Sequence, residues 1–406
     1  MSTTMRALMF LAGLLLSVGA ASAQAPPPVW DLEALKKAAV APEWGAPQTI
    51  GPVTLTEVTY QGEPLQGKPT RVFAWYARPE GKGPHPAVVL VHGGGGAAFR
   101  DWALHHAKRG YCAIAMDLSG NGKDGKRLPL GGPDQADDTK FKDFTPDTLR
   151  DMWTYHAVAN VMRGHTLLAG LPEVDAQRVG VTGISWGGYL TCIVAGVDHR
   201  LKAAAPVYGC GFLQADSCWK ASRFDAVPAE RRDRWVKTFD PSSHMAGTQC
   251  PILFLNGTND FAYPMDSYQD SYNLVRSPRT VSVRVRLPHG HIWTFGEVDV
   301  FLDSHLKGGK PLARMDPAVV QEKAVSATFH SATLITKGWL HYARAEGPWQ
   351  QREWKSAPAT VDGGKVVAEL PELRPLVFEL ALVDERGVEV TTPHVVLPAA
   401  KANPAP

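Results

Sequence analysis

Ser185 lies between two glycines in the run Gly183-Ile184-Ser185-Trp186-Gly187, a spacing that suits a hydroxyl used as a nucleophile. Before it, Arg178–Thr182 is a short apolar strand pattern; after it, Gly188–Ala195 reads as a helix. A strand that turns directly into a helix lifts the intervening serine above the sheet, and glycines on either side let the backbones meet without Cβ clashes. A serine hydroxyl is a poor nucleophile at neutral pH. It needs an imidazole to take its proton and a carboxylate to orient that imidazole. Asp260 follows the apolar run Pro251–Asn256 and is the expected carboxylate; Asp266 and Asp270 are rivals that fall on a helix pattern. Pro288-His289-Gly290-His291 follows the alternating run Val281–Leu287 and supplies two imidazoles. His291, which follows Gly290 and opens the loop into the last helix, is the expected base, leaving His289 to face substrate. An H-x-H pair can also ligate a metal, but no carboxylate or cysteine cluster stands beside this one at ligand spacing, so no metal site is expected.

These groups need a frame. Pro86–Val91 is a continuous apolar run, as in a strand buried on both faces, and it ends in His92-Gly93-Gly94-Gly95-Gly96. The His92–Gly96 run resembles the glycine-rich oxyanion loop of lipases and esterases, which implies backbone N–H groups of Gly94 or Gly95 and of Trp186 as donors to a tetrahedral oxyanion. Ser185, Asp260 and His291 come in that order, each just beyond the carboxyl end of a predicted strand, where an open parallel sheet places its site. Val53–Tyr60 and Thr70–Ala77 read as antiparallel strands entering the sheet, and Lys202–Tyr208 as a further apolar strand. Asp147–Gly170 reads as a helix, and Leu118–Thr145 as a long surface loop bordering the site. Phe212–Met245 breaks the strand–helix rhythm and is expected to form a small helical cap. Tyr208, Phe261, Tyr263 and Trp293, with Trp102 past the glycine loop, are the expected aromatic walls of a substrate pocket.

From Pro86 to about Lys307 the chain resembles an α/β-hydrolase, similar to secreted bacterial acetyl xylan esterases and dienelactone-hydrolase-like serine esterases. The likeness rests on the elbow, the His92–Arg100 stretch, Gly110–Asp117, Asn259–Pro264 and Pro288–His291. It implies a mostly parallel sheet with helices on both faces and ester hydrolysis, often on acylated plant polysaccharide. The dienelactone hydrolases proper use a cysteine nucleophile, and serine at position 185 departs from them. The resemblance also extends to the catalytic domain of prolyl-oligopeptidase-type peptidases.

The whole chain has 406 residues, 44% of them hydrophobic, enough for a sizeable core and more than one usual domain. A formal net charge of +2 without basic blocks argues against nucleic acid as a partner. Met1–Ala23 has the form of a secretory signal peptide: Arg6, an apolar stretch from Ala7 to Val18, and Ala21-Ser22-Ala23 before the cut. That predicts a periplasmic or extracellular protein with no membrane span after cleavage. Residues 24–311 are then the catalytic domain with an N-terminal arm. Residues 312–406 alternate in short strands and read as a small β-sandwich, in which Trp339, Trp349 and Trp354 are either core or a sugar-stacking face. Five cysteines include Cys210 and Cys218, close enough in sequence to bridge. The leading expectation is a secreted serine carboxylesterase acting on a small-molecule or polysaccharide ester, with no metal or organic cofactor. A serine peptidase for short peptides and an inactive glycan-binding hydrolase fold are the alternatives.

Overall fold

The computed structural model describes residues 28–292 and 295–399. The predicted signal peptide and Trp293 lie outside them.

Among the described residues, ten strands join in one mixed sheet. Its antiparallel end holds β1 (Glu43–Trp44), β2 (Gln48–Ile50), β3 (Val53–Gln61) and β4 (Arg71–Pro79). The parallel part is built from β5 (His85–Val91), β6 (Cys112–Met116), β7 (Val174–Ile184), β8 (Ala203–Val207), β9 (Ile252–Gly257) and β10 (Arg279–Arg284). The path runs β1-β3-β4-β6-β5-β7-β8-β9-β10, with β2 on β3. β5, β6, β8 and β9 are apolar almost throughout because both faces are covered. On one face lie α2 (Arg100–Lys108) and α8 (Gly296–Lys307), tied by His105 Nε2 and Asp299 Oδ1 at 3.0 Å and by an Arg109–Asp303 ion pair at 2.7 Å. The other face carries α4 (Trp153–Ala169), nearly all of it buried, and α5 (Trp186–Val197).

Segments expected as loops contain more order. Residues 118–145 include the short helix α3 (Asp137–Lys140), with Phe141 and Phe144 buried behind it. In the cap region, α6 (Ala229–Phe239) follows a π-helical turn at Lys220–Phe224. Trp219, Phe224 and Trp235 pack with Phe141 and Trp186 into one aromatic cluster. After β9, α7 (Met265–Asn273) leads to β10, and α8 ends at Gly308 in a left-handed cap, φ 71°.

The C-terminal strands form a second, antiparallel sheet. Its members are β11 (Arg314–Met315), β12 (Val319–Gln321), β13 (Ala324–His330), β14 (Ile335–Arg344), β15 (Lys355–Asp362), β16 (Lys365–Glu369), β17 (Leu376–Asp384), β18 (Glu389–Thr391) and β19 (Val395–Leu397). The order β11-β13-β16-β15-β14-β17-β18 is a single hydrogen-bonded path, with β12 on β13 and β19 on β17. A 3-10 turn at Trp349–Gln351 precedes β15. Trp349 and Trp354 are buried and Trp339 is half-buried. All five cysteines are free thiols, so Cys210 and Cys218 do not bridge. Among the described residues no helix is long and apolar enough to cross a membrane.

Candidate active site

Ser185 stands between β7 and α5 with φ 59° and ψ −119°, a backbone conformation disfavoured for any residue with a Cβ. Neighbouring groups hold it there. The Ser185 N–H donates to the Val207 carbonyl (2.9 Å), and its carbonyl accepts from Tyr189 N–H (2.9 Å). The flanking glycines are required by close approach: a Cβ on Gly187 would lie 2.0 Å from the Val91 carbonyl oxygen, and one on Gly183 would lie 2.3 Å from that of Gly187. Trp186 begins α5, where the first N–H groups of a helix have no intrahelical acceptor.

Asp260 follows β9 and is buried. Its Oδ1 accepts the N–H groups of Ala262 (2.9 Å) and Tyr263 (2.8 Å), which aims Oδ2 at a histidine. That histidine is His289, with Nδ1 at 2.6 Å, and not the expected His291. The cause is the packing of the two rings. His289 is stacked on Tyr208 (4.5 Å between centroids, 23° between planes) and lies 4.7 Å from Phe261. Beyond Gly290, a bond from Ile292 N–H to the Gly290 carbonyl (2.9 Å) closes a three-residue turn around His291. His291 turns toward the glycine loop, 4.9 Å from the Phe99 ring, with Nε2 near Gly93 and Gly96. Burial, and then the nearby His92 and His289, lower its pKa, which favours the neutral ring.

The glycine loop is fixed by His92. Its Nε2 accepts the Leu118 N–H (2.8 Å), so the proton must sit on Nδ1, which donates to the Gly93 carbonyl (2.7 Å). Burial holds this imidazole down at about 4, consistent with that neutral tautomer.

A cavity of about 590 Å³ brings these parts together: Gly94, Gly95, Ser185, Trp186, Phe261, His289 and His291 all line it. Three other expected wall residues take different places. Tyr208 and Tyr263 are fully buried and Trp102 nearly so, and none lines this cavity. Tyr208 supports His289 from behind and donates its hydroxyl to the Pro288 carbonyl (2.8 Å). Tyr263 packs on Trp219, and Trp102 belongs to the inner face of α2. The cavity has further walls that were not expected: Gln135, Asp137, Lys140, Cys218 and Trp219. Lys140 is buried, 2.9 Å from Asp137 Oδ1 and 4.5 Å from the Trp186 ring centre, and burial lowers its pKa. The Gln135 side-chain N–H₂ is buried without an acceptor among the described residues, a donor available to a bound molecule. For Gln135, Asp137 and Lys140 the sign in the sequence was the long 118–145 loop, and for Cys218 and Trp219 the expected cap at Phe212–Met245.

Among the described residues, His105, His106 and Asp299 bring possible metal-ligating atoms together. Arg109 Nε lies 3.3 Å from Asp299 Oδ1, so a cation already engages that carboxylate, and none of the three lines the Ser185 cavity.

Sheet order, the strained serine after β7, the acid after β9 and the imidazole after β10 match the α/β-hydrolase fold. Comparison narrows the likeness. The sequence profile of the acetyl xylan esterase family matches residues 41–221. Acetyl xylan esterases from Paenibacillus sp. R4 and Thermoanaerobacterium sp. JW/SL YS485 share the fold. Their TM-scores are 0.57 and 0.55, each at 20% identity, over 68% and 66% of this chain and 92% and 88% of theirs. Among curated proteins, an acetyl esterase of Xylanibacter ruminicola is 21% identical over 56% of this chain and 54% of its own length. An uncharacterized peptidase of Bacillus subtilis is 23% identical over 54% and 33%. The chain thus spans about half or less of these two relatives.

Proposed function

We propose that this hydrolase is a serine carboxylesterase that deacylates carbohydrate esters through an acyl-enzyme. The observation that carries the reading is His289, paired with Asp260 and lining one cavity with the strained Ser185. With Nδ1–H given to Asp260, His289 keeps Nε2 as the proton acceptor. Ser185 Oγ attacks the acyl carbonyl as His289 takes its proton, and the oxyanion is received by Trp186 N–H and by Gly94 or Gly95. His289 then protonates the departing sugar hydroxyl. Water, deprotonated by the same imidazole, releases the acid and restores Ser185. Acetyl is the favoured acyl group because the family profile and the structural relatives carry that activity in their names. Export after cleavage at Ala23 is part of the proposal, and N-terminal sequencing of exported protein starting at Gln24 is its check.

The deciding experiment compares wild type and S185A on p-nitrophenyl acetate, acetylated xylan and a peptide nitroanilide. Acetate release that disappears in S185A is the expected result. Amide cleavage without ester cleavage would give the protein to the peptidases instead. Silence on all three would leave a glycan-binding hydrolase fold.

A further inference from the structure

A second cavity, of about 380 Å³, lies beside the first and shares Phe261 and His289 with it. One wall is the loop of Arg286, Leu287 and Pro288 that leads to His289; the other is Gln350, Gln351 and Arg352 from the C-terminal sheet. Asn259, next to Asp260, fixes that second wall. Its amide N–H₂ donates to the carbonyls of Trp349 (3.1 Å), Gln350 (3.3 Å) and Arg352 (2.8 Å). The accessory sheet therefore reaches the acid–imidazole pair itself.

The chemistry of the walls is cationic. Arg286 is exposed at φ 53°, in the left-handed region that favours glycine, and is anchored by its N–H to Thr258 Oγ1 (3.0 Å). Arg352 lies 3.5 Å over the Trp349 ring, with Nε and Nη2 on the Gly347 carbonyl (3.3 and 3.2 Å). Its Nη1 is buried with no acceptor among the described residues. Asp216 and Asp266 stand near Arg352 but do not line the cavity. The carboxylate that does, Asp260, is taken by His289 and two backbone N–H groups. Between the two cavities Phe261 is 56% exposed and offers an apolar ridge.

We propose that Arg286 and Arg352 form a subsite for a carboxylate on the sugar part of the ester, so that acidic glycan esters are preferred to neutral ones. A guanidinium matches a carboxylate with paired hydrogen bonds, which a neutral sugar cannot reproduce. An ester bound at Ser185 would extend across Phe261, with Gln350 and Gln351 facing its hydroxyls. The proposal rests on the esterase reading above and adds the substrate class. The carboxylate can belong to the acylated sugar or to a neighbouring branch.

The test measures kcat/KM for acetate release from three substrates: O-acetylated oligogalacturonides, acetylated glucuronic-acid-branched xylo-oligosaccharides and acetylated neutral xylo-oligosaccharides. The two acidic substrates are also assayed after methyl esterification of their carboxyl groups. Methylation is expected to lower kcat/KM about 10- to 100-fold on whichever acidic substrate carries the recognised group, the loss of a charge-assisted contact. In R286Q and R352Q the acidic-to-methylated ratio should fall toward one, and added salt should lower it in the wild type. A wild-type ratio near one on both acidic substrates, with acetate still released, overturns this proposal and leaves the esterase reading standing. So does a ratio that both variants retain. Absence of acetate release from every substrate removes the esterase reading and this one with it.

Discussion

Two histidines lie two residues apart, and ring packing decides which of them pairs with Asp260. His289 is clasped by Tyr208 and Phe261 and bonded to Asp260, whereas His291 faces the glycine loop. H289A and D260N are therefore expected to lower kcat on p-nitrophenyl acetate by about 10⁴-fold, the usual scale for losing a member of such a triad. H291A should cost about 10-fold or less, because the proposed proton acceptor is the His289 ring paired with Asp260. Equal kcat losses in H289A and H291A would remove the assignment. The strand-end positions of Ser185 and Asp260 were legible because each follows a strand directly and carries its own local signal, glycine spacing in one case and an apolar run in the other. Which histidine pairs with Asp260 was not legible, since it depends on Tyr208 just after β8 and Phe261 in the loop after β9, far away in sequence. Tyr208 shows the same limit: its place at a strand end was visible, but its turning inward behind His289 was not.

At the scale of elements, the turn after β6 has a built-in sensitivity to pH. Asp117 Oδ1 accepts the N–H groups of Ser119 (2.9 Å) and Asn121 (2.7 Å), while Oδ2 is buried without a donor among the described residues. Burial raises this carboxyl to about 6 against the opposing pull of those N–H bonds. The folded state thus holds a proton that the unfolded chain has released, so stability falls as pH rises from about 4 to about 6 and stays lower above that. D117N keeps an acceptor and removes the charge. It should be more stable than wild type at pH 8, by about 3 kcal/mol at most, and gain nothing at pH 4, which urea melts at the two pH values would measure. A D117N chain weaker than wild type at both would show that the carboxylate is needed for the turn. The turn matters to the site because Leu118, one residue on, supplies the N–H that fixes His92 and the glycine loop. Strands, crossover helices and the Gly308 stop could be read from period and punctuation. The 118–145 segment could not, since its order comes from Phe141 and Trp235 stacking (5.1 Å) across 94 positions of chain and not from a local pattern.

For the whole molecule the question is whether the two sheets are one cooperative body. The catalytic sheet ends at β10, an edge whose unpaired backbone groups would invite association if left bare. The accessory sheet covers it: Val283 N–H donates to Thr391 Oγ1 (3.2 Å), and Glu389 N–H donates to Glu297 Oε1 on α8 (3.2 Å). Arg386 adds bonds to the carbonyls of Lys310 (2.7 Å) and Pro311 (2.9 Å), gripping the linker between the sheets. Phe295, Val388 and Val390 are buried, and a Cβ on Gly296 would come within 3.0 Å of Val388 Cγ1, so the interface leaves little slack. Polar groups buried there depend on their partners from the other side. T391V keeps the shape of the threonine but leaves the Val283 N–H without its acceptor, a loss of about 1–3 kcal/mol. If the sheets fold as one, that loss must appear in a single heat-capacity transition, with activity and near-UV signal vanishing together at a lowered Tm. Two transitions in the wild type, or a T391V shift confined to one of two, would mean that the halves melt separately. The wall formed by Gln350–Arg352 would then be a docked part that can leave while Ser185 and His289 remain in place.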